Sequence, residues 1–272
     1  MTKLFLFISV VFSLTIFAQD SIKLKIYREN VGKTYYLYAD NLEHAPVSVE
    51  YSYSADNMTS TLPDKSVVVV PGLTRKFLLS ELKSANPALK SKFSYSAEYV
   101  LGDVFATGEN EFLYQLPFEK NRAYRIYQGY NGKFSHQNAY SVDFSLQSGD
   151  KIYAARSGKV VTVVAQHSKN CLTKDCAVYN NKIIILHTDG TLAEYVHLKQ
   201  NGATVKPGDE VAVGQHIGFS GNTGWSKGPH LHFSVFINRI NGERRYIKTR
   251  FKTDGNKAPV YLSEGSTYSR SF

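Results

Sequence analysis

The sequence predicts an all-β protein, and three observations support this fold class. Apolar and polar residues alternate in short runs such as "VSVEYSY" and "FSYSAEY", and a period of two is the signature of a β-strand. Turn-rich segments such as "ADNMTSTLPDK" separate these runs. The sequence has no long segment with the 3.6-residue period of an amphipathic helix. With 272 residues, the chain is long enough for one or two β-rich domains.

The first eighteen residues are predicted to be a secretory signal peptide. Lys3 is followed by an uncharged apolar run from Leu4 to Phe17, and the small residue Ala18 precedes a polar segment. The alternative is a transmembrane anchor, but this run is shorter than the roughly 20 residues that cross a bilayer. We therefore expect cleavage after Ala18, removal of residues 1–18, and a mature protein that is secreted or periplasmic.

The formal net charge of the chain is +9 at neutral pH. Export argues against a nucleic-acid partner, so the basic surface favours contact with an anionic envelope, cell wall or lipid headgroup. The alternative is that the charge only keeps the protein soluble, because lysines and arginines are scattered along the sequence in runs no longer than two. The sequence does not predict an oligomeric state.

Residues 19–115 are predicted to form an accessory β-sandwich of immunoglobulin-like size. This segment holds one histidine, His44, and lacks a cluster of residues that could do chemistry. It is therefore interpreted as a binding or spacing module. Its tyrosines could form a carbohydrate-contacting face, although alternating tyrosines on a strand are more often packing residues. One piece, "RKFLLSELKSA" at residues 75–85, is predicted to form a short helix.

Residues 116–272 are predicted to form a second β-rich domain, which holds seven of the eight histidines. Near Leu116 the chain changes to a segment punctuated by Pro, Gly and Asn, and short strand-like runs follow. The segments "HTDGT" and "VKPGDEV" between these runs are typical of hairpin turns. The domain boundary is therefore placed at residues 115 and 116.

Cys171 and Cys176 are the only cysteines, and they lie five positions apart in "CLTKDC". In an oxidising compartment, such a close pair predicts a disulfide that pins a loop. A metal site is the alternative, but two thiols without a second pair are a weak zinc signal.

Two histidines in "GPHLHFSV" are the first indication of a metal site. On a strand, residues i and i+2 point to the same face, so His230 and His232 would lie side by side. A catalytic zinc site takes three protein ligands and keeps a fourth position open, and "SHQNAYSVDF" offers His136 and Asp143. Asp143 lies in an apolar strand, where a carboxylate is costly unless it is paired or bound to metal. Taken singly, each histidine could instead be a core residue and Asp143 a solvent-facing one.

The segment from Pro117 to Ile237 resembles the lysostaphin-like or LytM-type zinc metallo-endopeptidases, which cut peptide bridges of bacterial cell walls. In order, the resemblance runs through "QGYNGKFSH", "VDF", "GDKIYAARSGKVV", "DGTLAEYVHL", "VKPGDEVAVGQHIGFSGNTG" and "GPHLHF". It implies a β-rich peptidase domain of the lysostaphin-like (duplicated hybrid motif) fold, peptidoglycan peptides as the substrate, and a place in the bacterial cell envelope.

Carried over by position, the resemblance implies that His136, Asp143 and His232 are zinc ligands and that His197 and His230 are catalytic. Six residues separate His136 from Asp143, more than in lysostaphin itself, and this longer spacer resembles a subgroup of the family. Zinc can polarise a carbonyl and lower the pKa of bound water to about 7. One catalytic histidine would orient or deprotonate the water while the other stabilises the oxyanion, and the sequence leaves open which does which.

Two other functions are weighed. A catalytically inactive LytM-like regulator would bind and activate another wall hydrolase, but such regulators typically lack some metal ligands, and all five positions are filled here. A serine hydrolase would use Ser220 of "GFSGN", which lacks the second glycine of the Gly-x-Ser-x-Gly elbow.

Two aromatic residues are assigned secondary roles. Tyr195 stands two residues before His197, so it is expected to share the strand face of His197 and to help hold the reacting carbonyl. Trp225, the only tryptophan, could contact a glycan or stem peptide, or it could be a packed aromatic of a mobile loop. The sequence does not distinguish Gly-Gly bridges from D-amino acid crosslinks as the bond cut.

Overall fold

The computed structural model describes residues 22–109, 111–255 and 258–272, so the signal peptide predicted for residues 1–18 lies outside the described residues. In these ranges the chain is almost entirely β, and its only helical segment is a 3₁₀ helix at Lys174–Tyr179. No described helix has the length and apolar character needed to cross a membrane. The prediction of an all-β fold is confirmed.

The N-terminal half contains two antiparallel sheets. Its strands are β1 Leu24–Val31, β2 Thr34–Asn41, β3 Val47–Asp56, β4 Met58–Ser60, β5 Ser66–Val70, β6 Thr74–Ser84 and β7 Lys92–Leu101. One sheet has the order β1-β2-β6-β4 and the other the order β5-β3-β7. Buried residues of both sheets, among them Leu37 and Val49, share a core with Ile184 and Phe236 of the second half. The immunoglobulin-like character of this half stays a prediction.

The prediction of a helix at residues 75–85 is wrong, because β6 runs through this segment. Leu79 and Leu82 are both buried at a spacing that suits a helix. The strand accommodates them by a register shift, in which Leu37 pairs with Ser80 and Tyr38 pairs with Leu78. The extra residue of such a bulge reverses the alternation of side chains, so Leu79 and Leu82 both reach the core from a strand.

The strands of the second half are β8 Leu113–Gln115, β9 Ala123–Gln128, β10 Ser141–Phe144, β11 Lys151–Tyr153, β12 Gly158–Val164, β13 Asn170–Cys171, β14 Lys182–Leu186, β15 Leu192–Val196, β16 Leu198–Ala203, β17 Glu210–Val211, β18 His216–Ser220, β19 Gly224–Trp225, β20 Leu231–Asn238, β21 Arg244–Ile247, β22 Arg250–Lys252 and β23 Thr267–Ser269. Nine of them form a large sheet, in which eight follow the path β17-β12-β14-β15-β20-β10-β9-β23 and β21 also pairs with β20. Strand β10 pairs with the first half of β20, and β21 pairs with its second half.

A three-stranded sheet, β11-β18-β16, packs on the large sheet through one apolar core. Phe144 of β10, Tyr195 of β15 and Phe233 of β20 belong to this core and are fully buried. The residues next to these three along each strand point to the opposite face of the sheet. Side chains of β10, β15 and β20 that form a site must therefore come from those neighbouring positions.

The predicted disulfide between Cys171 and Cys176 is confirmed, with the two Cα atoms 5.8 Å apart. Strand β13 carries Cys171 and pairs in parallel with β19, where Cys171 lies opposite Trp225. The backbone N–H of Ser226 also donates to the carbonyl of Cys171. The disulfide loop is therefore attached to the segment that leads into the His-x-His pair.

His187 follows β14 and is buried as a neutral imidazole. Its Nδ1 donates to the carbonyl of Ser157 over 2.8 Å, and its Nε2 has no hydrogen-bond partner within the described residues. A proton on Nε2 would therefore be buried without an acceptor. Burial lowers the pKa of His187 to about 4.

We expect His187 to make the protein less stable in acid. The unfolded chain takes up a proton below about pH 6.5, whereas the folded chain does so only near its pKa of about 4. Between pH 7.5 and 4.5, the free energy of unfolding should therefore fall by about 2.5 kcal/mol more in the native protein than in the His187→Asn variant. Urea denaturation at both pH values measures this difference, and equal losses in the two proteins would contradict it.

Candidate metal centre and active site

Asp143 and His232 are brought together by strand register. They are direct partners in the antiparallel pair of β10 and β20, so their side chains leave the sheet on the same face. His232 Nδ1 lies 2.9 Å from Asp143 Oδ1. Asp143 is only 3% exposed. Burial raises the pKa of its carboxyl, but hydrogen bonds with His136 and His232 outweigh burial and hold the pKa well below its usual range.

His136 joins this pair from the loop before β10. Its Nδ1 donates to the carbonyl of Gly129 over 3.0 Å, which directs Nε2 inward. Nε2 lies 3.2 Å from Asp143 Oδ1 and 3.1 Å from His232 Nδ1. Two imidazole nitrogens and a carboxylate oxygen thus converge within 4.8 Å of one another. Such a donor set suits a transition metal such as zinc, so these three residues can hold a metal ion.

Gln128 holds the loop that carries His136, a role that was not predicted from the sequence. Its Oε1 accepts the backbone N–H groups of Phe134 and Ser135, and its Nε2 donates to Ser135 Oγ and to Asp143 Oδ2. One buried amide therefore fixes both the loop and the carboxylate. The detectable signal is a glutamine at the end of a strand before a glycine, in "YQGYNG".

His197 and His230 lie beside this cluster, with their ring centroids 4.5 Å apart. His197 Nδ1 donates to the carbonyl of Thr223 over 2.7 Å, and His230 Nδ1 donates to the carbonyl of Gly228 over 2.8 Å. Both rings are therefore held with an unprotonated Nε2, and that of His230 lies 3.9 Å from Asp143 Oδ1. Burial, together with the neighbouring His230 and His232, lowers the pKa of His197 to about 3.

The expectation that Tyr195 shares the face of His197 is wrong. Tyr195 is fully buried in the core, where its hydroxyl accepts the backbone N–H of Ala155 over 2.8 Å. The cause is the backbone of His197, which has a φ of +67° and separates β15 from β16. Because His197 is in the left-handed region, the regular alternation of β15 ends there. Tyr195 and His197 therefore do not share a face, although they are two residues apart.

Glu194 is a further buried charge beside the cluster. Its Oε1 accepts Ser234 Oγ over 2.8 Å and Arg244 Nη1 over 2.7 Å, and it lies 3.8 Å from His232 Nε2. Burial raises the pKa of Glu194, but the charges of Arg244 and His232 and the hydrogen bonds with His232 and Ser234 lower it overall. Glu194 is therefore an anion held against the outer nitrogen of His232.

An open cavity of about 310 Å³ is lined by Asp143, Glu194, His197, His230 and His232. Trp225, Phe134 and Lys227 form part of its wall. The rings of Trp225 and Phe134 are 5.8 Å apart, the ammonium of Lys227 lies 3.7 Å from the Phe134 ring centroid, and Trp225 Nε1 donates to the carbonyl of Leu172 in the disulfide loop. The predicted contact of Trp225 with a substrate stays a prediction, but its side chain does line the cavity.

The chain matches the model of Peptidase family M23 over residues 137–244. It is 34% identical over 138 residues to lysostaphin of Staphylococcus simulans, covering 50% of this chain and 25% of lysostaphin. This chain carries a peptidase M23 domain. The family resemblance inferred from the sequence motifs is thereby confirmed. Asp143, His197, His230 and His232 lie inside the matched M23 range, and His136 lies one residue before it.

Other M23 proteins are also similar. Peptidoglycan DD-endopeptidase ShyA of Vibrio cholerae is 34% identical over 95 residues, which are 35% of this chain and 19% of ShyA. The solved catalytic domain of the antimicrobial peptidase lysostaphin from Staphylococcus simulans is 30% identical, with 46% of this chain and 87% of that domain covered and a TM-score of 0.34. The chain spans about a quarter or less of the length of lysostaphin and ShyA.

Proposed function

We propose that this protein is a secreted or periplasmic zinc endopeptidase that hydrolyses peptide crosslinks of bacterial peptidoglycan. The observation that carries the proposal is the position of His197 and His230 beside the His136, Asp143 and His232 cluster. Four of these five residues line one open cavity, and His136 is buried behind it. The names of the relatives agree, since ShyA is called a peptidoglycan DD-endopeptidase and lysostaphin an antimicrobial peptidase.

Zinc fits the three converging donors of the cluster. His136 Nε2, Asp143 Oδ1 and His232 Nδ1 would hold the ion, and the carbonyl of Gly129 orients the ring of His136 from behind. When bound, zinc would supply Lewis-acid polarisation of the scissile carbonyl and would lower the pKa of a water molecule to about 7.

The two remaining histidines would move the proton. Water adds to the carbonyl carbon, and one of its protons passes to the Nε2 of His197 or His230, which the Nδ1 hydrogen bonds keep available as an acceptor. The C–N bond then breaks as the amine nitrogen takes up a proton. The second histidine would stabilise the oxygen that carries the developing negative charge once it holds a proton on its own Nε2. Which histidine has which role is left open.

The other segments take supporting roles in this proposal. Residues 1–18 would direct export, and residues 19–115 would form an accessory domain of immunoglobulin-like sandwich type beside the peptidase domain of residues 116–272. The net charge, which is +9 for the full chain and +8 without Lys3, would favour the anionic envelope over a neutral surface. A catalytically inactive regulator of another hydrolase is not favoured, because both proton-accepting histidines accompany a complete donor set.

Mass spectrometry of fragments released from peptidoglycan of defined structure tests the function. The zinc-loaded protein should release fragments with new amino and carboxyl ends at the peptide crosslinks. The same preparation, depleted with a chelator, should release none until zinc is added back, because zinc is the only Lewis acid in the proposed mechanism. An absence of new ends with the zinc-loaded protein would contradict the endopeptidase and favour the regulator.

A further inference from the structure

Arg244 stands where two cavities meet. The cavity of about 310 Å³ above the His/Asp/His cluster is lined by Lys182 and Arg244, and both residues also line a second cavity of about 420 Å³. The second cavity is lined by Leu42 of the N-terminal half on one side and by Ile184 and Phe236 of the large sheet on the other. Arg244 and Lys182 therefore lie on the wall of the space over the cluster and also on the wall of a cleft beneath the N-terminal sheets.

The guanidinium of Arg244 is held in a fixed position at this junction. Its Nη1 donates to Glu194 Oε1 over 2.7 Å, and its Cζ lies 3.8 Å from the centroid of the Phe236 ring. Glu194 is itself buried and accepts Ser234 Oγ. The Arg244 side chain is nevertheless 32% exposed. An arginine carries five N–H donors in a rigid fork, and this partly exposed side chain lines both cavities.

The charges around this junction favour an anionic ligand group. The cations lining the cavity of the cluster are Lys182, Lys227 and Arg244, against two carboxylates. Both carboxylates are engaged inside the protein, Asp143 by His136 and His232 and Glu194 by Arg244 and Ser234. A planar carboxylate is the group that a guanidinium fork matches best.

The distance to the cluster sets where that carboxylate would lie. One oxygen, Glu194 Oε1, is 2.7 Å from Arg244 Nη1 and 3.8 Å from His232 Nε2. A single side chain thus separates the guanidinium from a residue of the cluster. In an extended peptide each residue spans about 3.3 Å, so a carboxylate within one or two residues of the scissile bond would reach Arg244.

We propose that Arg244 is a specificity-determining residue that binds a free carboxylate of the peptide substrate near the scissile bond. This inference rests on the proposed endopeptidase function. It assigns the protein to crosslinks whose stem peptide carries a free carboxylate at this position, in preference to uncharged glycine bridges.

Two synthetic crosslinked peptides test the inference. They are identical except that the residue beside the scissile bond carries a carboxylate in one and a carboxamide in the other. The zinc-loaded protein should cleave the carboxylate peptide with a kcat/KM higher by about tenfold or more, the usual size of one charge-assisted hydrogen-bond pair. The Arg244→Gln variant should lose this preference, mainly through a higher KM for the carboxylate peptide.

The preference ratio separates recognition from a structural effect. Loss of Arg244 also leaves Glu194 buried without its partner, which would slow the cleavage of both peptides alike and leave their ratio unchanged. The Arg244→Gln, Glu194→Gln double variant removes that unpaired charge and should likewise show no preference. Arg239→Gln is the matched control, because Arg239 is exposed and lies on neither cavity, and its ratio should equal that of the native protein.

The outcomes distinguish the inference from the function on which it rests. Equal cleavage of the two peptides by the native protein would overturn carboxylate recognition and leave the endopeptidase function intact. A preference that survives in Arg244→Gln would overturn the role of Arg244. Cleavage of neither peptide, together with no new ends in peptidoglycan, would contradict the endopeptidase function itself, and the inference would fall with it.

Discussion

Replacement of Asp143 by asparagine is expected to remove bound zinc and to lower the rate of crosslink hydrolysis by at least about a thousandfold, since several kcal/mol of Lewis-acid stabilisation would be lost. Asp143 Oδ1 is the only anionic donor of the cluster, and both His136 Nε2 and His232 Nδ1 point at it. An amide oxygen keeps the shape of the side chain but loses the negative charge that offsets the charge of the ion.

Two measurements on the Asp143→Asn variant separate its effects. The zinc content of the dialysed protein reports binding, and the rate of release of peptidoglycan fragments reports activity. Asp56→Asn is the matched control, because Asp56 is exposed in the N-terminal half, and it should keep both zinc and rate. Stoichiometric zinc with a native rate in Asp143→Asn would contradict the assignment of the cluster as the metal site.

The residues of the cluster could be predicted because their signals are local. The His-x-His pair and the aspartate within an apolar strand follow from strand alternation alone, and the register of β10 and β20 does place Asp143 opposite His232. His136 is a candidate because it lies close to Asp143 in the sequence, but only the family resemblance implies that it is a ligand. Its position depends on a loop held by Gln128 and Gly129, and no periodic pattern encodes a loop.

Gln128 and Glu194 were missed for a common physical reason. Each is a polar residue within a strand whose sequence carries no functional motif. Each acts through hydrogen bonds to residues that are distant along the chain. Gln128 meets Asp143, fifteen positions away, and Glu194 meets Arg244, fifty positions away. A buried polar residue needs hydrogen-bond partners, but a single sequence does not show which residues these partners are.

The two wrong predictions both come from irregular strand backbone. The register shift of β6 lets Leu79 and Leu82 share the core although their spacing suits a helix. The positive φ of His197 sends Tyr195 into the core, away from the site. Strand alternation holds only while the backbone stays regular, and the same irregularity at His197 is what turns its ring toward the cluster. The position proposed for a catalytic histidine is therefore one where the periodic pattern fails.

Replacement of His197 by glutamine is expected to lower kcat about a hundredfold to ten-thousandfold, the usual contribution of a general acid or base, while zinc stays bound. His197 is not one of the three converging donors, and its Nδ1 is occupied by the carbonyl of Thr223. Only its Nε2 is free to take or hold a proton at the reacting atoms. The loss should therefore appear in kcat with a smaller change in KM.

Zinc content and kinetics measured on one preparation decide whether His197 acts in catalysis or in metal binding. His216→Gln is the matched control, since the His216 ring packs against Tyr153 and Phe219 and does not line the cavity, so its kcat should match that of the native protein. Loss of zinc from His197→Gln would make His197 a ligand. An unchanged kcat with zinc bound would assign the proton transfer to His230 alone, because His230 is the other imidazole whose Nε2 faces the cluster.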